Sequence, residues 1–377
     1  MAQQPIVIIG AGLGGLTLGR CLRHYGIPSI LYEKMPLVAR HGYAITLHAS
    51  TYKPLLRVLD MDEATFKRRV AVDGADGVIS PRLLVYDRAL LQPSSFRVHR
   101  GKLEDLLREG LDVYPEHALD KVDETPEGRP LLRLQNGETL SSNCVVGVDG
   151  VHSSLRNSML PRTAFNMLPF VAFNGKRQVQ RTLFDSIYAP VMKGTNVVEF
   201  KANGTVLNIS VNEQTPEQVS ISWIYSRPAR GAIDPLYRPT RALSAATDIP
   251  EEFYEEISTL ADLPEPFKEV FDREKLKSER VLHWLMRSVL VSLAELQELG
   301  KKGVFLIGDS VHAEPIIGGQ GANVAISDGV GLAERISKNG PGGVHEWYAT
   351  QYSSWDQGVK DSERAIAEIH ADHGPML

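Results

Sequence analysis

Gly10-Ala11-Gly12-Leu13-Gly14-Gly15 carries glycines at the G-x-G-x-x-G spacing, and Glu33-Lys34 closes the short apolar run that follows. This combination can bind a dinucleotide. Gly10 makes a tight turn, Gly12 lets the backbone approach a pyrophosphate, and Gly15 lets helix and strand pack closely. The amides that open a helix at Leu13, together with its positive end, suit phosphate. The carboxylate of Glu33 can accept hydrogen bonds from the adenosine ribose, and an acid there disfavours a 2′-phosphate. The expected cofactor-binding residues of this segment are therefore Gly10, Gly12, Leu13, Gly14, Gly15, Glu33 and Lys34. The fingerprint by itself does not separate NAD from FAD.

The elements around it fit that chemistry. Ile6 to Ile9 is a continuous apolar run, as in a parallel strand buried on both faces. Leu16 to Tyr25 reads as a helix closed by Gly26, and Ile30 to Tyr32 as the next strand. Residues 101–110 give an amphipathic helix with Leu103, Leu106 and Leu107 on one side. Two later segments are strands that end on carboxylates. One runs from Cys144 to Asp149-Gly150, with Arg156 beyond it. The other runs from Val304 to Gly308-Asp309 and continues into a glycine-rich turn and a helix over 321–337. Between them the texture changes. Alternating stretches at 196–200 and 219–225, broken by Asn203-Gly204 and Thr215-Pro216, predict antiparallel strands, and a helical charged stretch is expected over 250–277.

Taken together, the three segments resemble the FAD-dependent aromatic hydroxylases, the group A flavoprotein monooxygenases with the p-hydroxybenzoate hydroxylase fold. The resemblance is strong over 5–48, 97–107, 144–156 and 303–335 and weak over 160–280. It implies an α/β fold: a Rossmann-like FAD-binding domain (1–75, 97–160 and 280–377) with an inserted antiparallel β-sheet substrate domain (76–96 and 161–279). It further implies that Ala44 lies on a strand passing the flavin and that Arg100 contacts the phosphate and ribityl region. Asp149, Gly150 and Arg156 would touch the pyrophosphate and help NAD(P)H dock. Asp309 would bond the ribityl chain, and Gly321, Ala322 and Asn323 would open a helix aimed at the flavin N1–C2=O edge. The implied reaction uses NAD(P)H as a transient co-substrate to reduce FAD. O2 then adds to give a C4a-hydroperoxide, which hydroxylates or epoxidises a small aromatic or conjugated molecule.

The chain departs from the family in two places. Ile316 follows Pro315 where many members have a second proline, with Glu314 before them as a solvated loop carboxylate or a pocket group. Asn174 stands in Ala172-Phe-Asn174-Gly175 where many members have an arginine. Asn174 is the first candidate for contact with substrate. His48 is a second, as a pocket histidine or a satisfied structural one. Tyr225 is a third, although Trp223 and Tyr225 at alternate positions also read as one packed face.

Composition excludes other classes. In 377 residues, 41 Lys and Arg against 46 Asp and Glu give a net charge of −5, which offers no basic footprint for nucleic acid or an anionic membrane. Two cysteines, Cys21 and Cys144, cannot build a disulfide framework, and no Cys/His cluster suggests a metal. With no recognisable targeting segment, a cytoplasmic monomer or homodimer is expected. Two alternatives stay open: an FAD oxidoreductase of the same fold that inserts no oxygen, and a non-enzymatic nucleotide-binding regulator.

Overall fold

A computed structural model describes residues 4–37, 42–73, 95–231, 233–318 and 320–371. In chain order it opens with β1 (Ile6–Ile9), α1 (Leu13–His24), β2 (Ser29–Tyr32), β3 (Ala44–Leu47), α2 (Ala49–Leu59) and α3 (Glu63–Val70). Next come β4 (Phe96–His99), α4 (Arg100–Arg108), β5 (Val113–Tyr114), β6 (Leu119–Glu124), β7 (Pro130–Leu134), β8 (Thr139–Ser141), β9 (Val145–Gly147) and α5 (Ser154–Met159). The middle holds β10 (Asn166–Gln180), α6 (Arg181–Leu183), α7 (Ala189–Met192), β11 (Val197–Ala202), β12 (Thr205–Gln214) and β13 (Gln218–Pro228). It continues through α8 (Glu251–Ser258), α9 (Phe267–Val270), α10 (Arg273–Lys277), β14 (Leu282–Leu290) and α11 (Leu293–Lys301). The chain closes with β15 (Val304–Leu306), β16 (His312–Ala313), α12 (Gly321–Asn339) and α13 (Val344–Ile369).

Because β1 is apolar on both faces, it sits inside a parallel sheet ordered β15-β9-β1-β2-β5. Its three signature strands therefore end side by side: β1 at the glycine turn, β9 at Asp149, β15 at Asp309. The second sheet, ordered β11-β12-β13-β10-β14-β16, is antiparallel throughout. Asn203 and Gly204 both adopt positive φ, 51° and 73°, as a tight two-residue hairpin requires. At the other edge β16, just past Asp309, pairs with β14 and joins the sheets.

The hydrophobic interior forms two large clusters. One draws on 6–155 and 291–355; the other, on 171–281, lies against one face of the antiparallel sheet. Most of the segment 76–96, expected in the substrate domain, lies outside the described residues. Phe96 is described, and it packs in the first cluster because it pairs with Leu47 across β3 and β4. The charged stretch 250–277 is not one helix but three, since Pro264 and Pro266 remove amides and fix φ between α8 and α9. Helix α1 starts at Leu13 rather than Leu16, because the glycines form its first turn. Among the described residues no helix is long and apolar enough to cross a membrane.

His283 stacks on Phe173 with centroids 4.8 Å apart and is buried in the second sheet. Burial, helped by Arg241 and Arg238, pushes its pKa down to about 4. The unfolded chain therefore binds a proton below about pH 6.5 that the folded chain refuses until about pH 4. Stability is lost across that window as pH falls, on the order of 3 kcal/mol at its foot. Chemical denaturation at pH 7 and pH 4.5 should show this loss, and His283→Phe should reduce it.

Candidate functional site

The glycine turn is shaped by contact distances. A Cβ on Gly15 would stand 2.0 Å from the carbonyl oxygen of Gly10, so the third glycine is what allows α1 to close on β1. Gly10 has φ of 105°, and a Cβ there would meet the Val148 carbonyl at 2.5 Å. Gly12 is different. Its nearest neighbour would be the Arg100 guanidinium at 3.9 Å, so the space over it is open. Beneath the turn, buried Glu33 accepts from the amides of Ala11 (2.9 Å) and Met35 (3.0 Å). Leu13 and Gly14 are buried, and Lys34 is exposed.

Arg100 begins α4 and is held by Glu104 (2.8 Å) and by the Tyr43 hydroxyl. Asp149 accepts through Oδ2 from the first amides of α5, Ser154 (2.7 Å) and Leu155 (3.2 Å), while Oδ1 is buried without a partner among the described residues. Arg156 lies on α5. Its guanidinium is buried and donates to the carbonyls of Val151 (2.6 Å), Ser310 (3.1 Å) and Asp309 (3.5 Å). It therefore ties the Asp-Gly segment to the Gly-Asp segment. Asp309 lies below an open helix end, since a Cβ on Gly321 would sit 3.4 Å from its Oδ1. Burial raises the Asp309 pKa, while His312, Arg100 and Arg156 pull it back.

Helix α12 has no side-chain cap, so the amides of Gly321, Ala322 and Asn323 have no partner within it. The Asn323 side chain bridges to β3 instead, donating to the Thr46 carbonyl (2.9 Å) and accepting from the His48 amide (3.0 Å). The His48 ring has both nitrogens engaged, Nδ1 with Ser95 (2.8 Å) and Nε2 with Gln320 (3.1 Å), and burial lowers its pKa. His48 is thus a neutral brace between β3 and the glycine-rich turn. Ala44, on β3, donates its amide to Asn212 of the antiparallel sheet at 3.0 Å.

That sheet presents alternate residues to its two faces. Asn174 lies on the face turned to β3, buried, with its amide donating to the Trp223 carbonyl at 2.8 Å. Tyr225 lies on the opposite face, fully buried against Phe253, its hydroxyl bonded to Glu256. As a core residue it touches nothing on the side of Asn174.

Three residues outside the expected set hold these parts together. Buried Asp328 on α12 accepts from the Gly308 amide (2.9 Å) and the Trp355 indole (3.0 Å) and pairs with His312 (2.6 Å). Burial opposes a charge on His312, but Asp328 and nearby acids outweigh it and raise its pKa. Glu314 is half-buried and accepts from Ser362 of α13 at 2.9 Å.

These residues fit FAD. The open cradle over Gly12, the buried Asp149 oxygen without a donor, the half-buried Asp309 and the uncapped α12 lie along one line of strand ends.

Comparison with known proteins agrees. The model of a FAD binding domain family matches residues 3–357. The FAD-dependent monooxygenase nscC of Arthroderma otae is 33% identical over 393 residues, covering 98% of this chain and 95% of the relative. The fold also matches 2,6-dihydroxypyridine-3-hydroxylase from Arthrobacter nicotinovorans, with a TM-score of 0.73 at 17% identity over 98% of this chain and 93% of that one. Klebsiella pneumoniae HpxO complexed with FAD and uric acid gives 0.68 at 16% identity, over 98% and 90%.

The two glycines separate folding from binding. Gly12→Ala should fold with unchanged thermal stability yet lose FAD affinity at least about tenfold, because its methyl group fills the cradle. Gly15→Ala should lose about 3 kcal/mol or more of stability from backbone overlap. Thermal melts and FAD titrations of both variants check this, and equal behaviour of the two would refute the assignment.

Proposed function

The chain belongs to the FAD-dependent monooxygenase family, and on that premise we propose that it inserts one oxygen atom from O2 into a small hydroxylated aromatic or conjugated molecule, using NAD(P)H as reductant. The observation that carries the reading is the uncapped start of α12, poised above Asp309 and tied through β3 to the sheet that bears Asn174. Bound FAD supplies the redox chemistry, passing electrons from NAD(P)H to O2 so that one oxygen enters the substrate and the other leaves as water.

The chain's residues do the rest. The amides around Gly12 and the Arg100 guanidinium take the pyrophosphate. Asp309 accepts from the ribityl hydroxyls. The free amides of Gly321 and Ala322, at the positive end of a 19-residue helix, hold negative charge that develops on the reduced ring. Neutral His48 fixes Gln320 and so the turn that precedes them. Asn174 donates one amide hydrogen to the Trp223 carbonyl, which leaves its oxygen to accept from a substrate hydroxyl. No side chain needs to be a nucleophile. The two fold relatives bind or act on small hydroxylated or oxo heterocycles by their names, which supports the substrate class.

Incubation with NADPH or NADH and a panel of hydroxylated aromatics under 18O2 tests the reading. It predicts substrate-stimulated oxidation of the nicotinamide and one labelled oxygen in a product. Oxidation with no label in any product would mean an FAD oxidoreductase instead. Asn174→Ala should retain FAD while substrate-stimulated turnover falls about tenfold, as expected for one lost hydrogen bond.

A further inference from the structure

The face of the antiparallel sheet that bears Asn174 can be read in rows from its pairing register. One row, Val197, Ser210, Ser222 and Lys176, adjoins Asn212, which bonds both Ser222 (2.9 Å) and the β3 amide of Ala44 (3.0 Å). Another row, Lys201, Val206, Ser226, Ala172 and Trp284, is closed by the end of α13, where His370 bonds Ser226 at 2.9 Å. Ser210 and Ser222 in the first row, and Val206, Ser226 and Ala172 in the second, are buried.

Between them runs a third row: Glu199, Asn208, Ile224, Asn174 and Leu282. Apart from Asn174, these residues are only half-buried although the rows on both sides are mostly covered, with Lys176 exposed and Lys201 and Trp284 half-buried at their ends. The middle row therefore floors a groove, with β3 along one wall and α13 along the other.

At the far end of this floor stands a carboxyl group with an unmet need. Oε1 of Glu199 is buried and has no hydrogen-bond partner among the described residues, while Asn208 directly opposite bonds the side chain. Burial pushes the Glu199 pKa up to about 8, against the downward pull of Lys201 and Asn208. Raised in this way, the group holds a proton more readily than an ordinary carboxyl, and in its protonated form it can both donate and accept. Leaving a buried polar atom unpaired is costly, and a ligand that pairs it recovers that cost.

We infer that Glu199 is a substrate-binding residue that pairs a hydroxyl at one end of a flat fused-ring molecule lying along this row, with Asn174 receiving the other end. The inference rests on the monooxygenase reading and adds the shape of the substrate to it. Glu199 and Asn174 are three strand spacings of about 4.8 Å apart, roughly 14 Å between backbones. A two-ring diol bonded at both ends matches that separation. Ile224, between the polar ends, offers an apolar surface to the rings.

The test is equilibrium dialysis of 2,6-dihydroxynaphthalene and its dimethyl ether against FAD-loaded protein, wild type, Glu199→Ala and Glu199→Gln. The diol should bind wild type at least about tenfold more tightly than the ether. Glu199→Ala should lose most of that preference with little change for the ether. Glu199→Gln, which keeps a donor and an acceptor and guards against a folding failure of the alanine variant, should stay within about threefold of wild type. Equal diol binding by wild type and Glu199→Ala, no preference for the diol, or equal weakening of both compounds would overturn the inference while the monooxygenase reading stands. A chain that takes up no FAD would overturn both.

Discussion

Helix α1 must approach the glycine turn and the backbone of α12 at once, and the architecture follows from that constraint. Gly15 lets it touch the Gly10 carbonyl, Gly14 faces the Val148 side chain and Ala325 of α12, and Gly329 of α12 lies where a Cβ would come within 2.8 Å of the Gly14 carbonyl. Close contact between α1 and α12 aligns the start of α12 with the glycine turn. Any side chain at these positions would wedge α12 away from the strand ends and separate the two halves of the cofactor cradle. The glycines lose more conformational entropy than other residues on folding, a cost offset by the packing they permit.

Around that contact, buried polar groups serve as fasteners. Asp328 holds the Gly308 amide, His312 and the Trp355 indole, so one carboxylate links β15, β16, α12 and α13. Arg156 spends three hydrogen bonds on carbonyls of two distant segments. Asn323 and Asn212 join β3 to α12 and to the antiparallel sheet. Such groups are costly to bury unless paired, and pairing them restricts the backbone to few arrangements. The two sheets consequently meet with polar stitching at their borders and a half-buried strip between.

Legibility in the sequence followed the range of the interactions involved. The glycine turn, the strands ending at Asp149 and Asp309, and the Asn203-Gly204 hairpin are set by neighbours within a few residues, and their types betray them. The antiparallel strands showed through alternation, but alternation does not say which face will be covered by what. Tyr225 therefore read as a pocket phenol or, more readily, as one packed face with Trp223, and its hydroxyl on Glu256 places it in the core. Arg156 was visible as part of a motif, yet its partners at Asp309 and Ser310 are brought to it only by the parallel sheet. Asp328 left one faint sign, an acid inside an otherwise apolar helical run, and Glu199 left none, since its meaning depends on two rows of neighbours on other strands.

The account stands on a flavin cradle formed by the strand ends and the uncapped α12. Its most direct test is the visible absorption spectrum of the purified protein, with the bound cofactor released by heat and identified. The account predicts a yellow protein that releases FAD, or an apoprotein that gains flavin absorption when FAD is added. A colourless protein that takes up no FAD would contradict it.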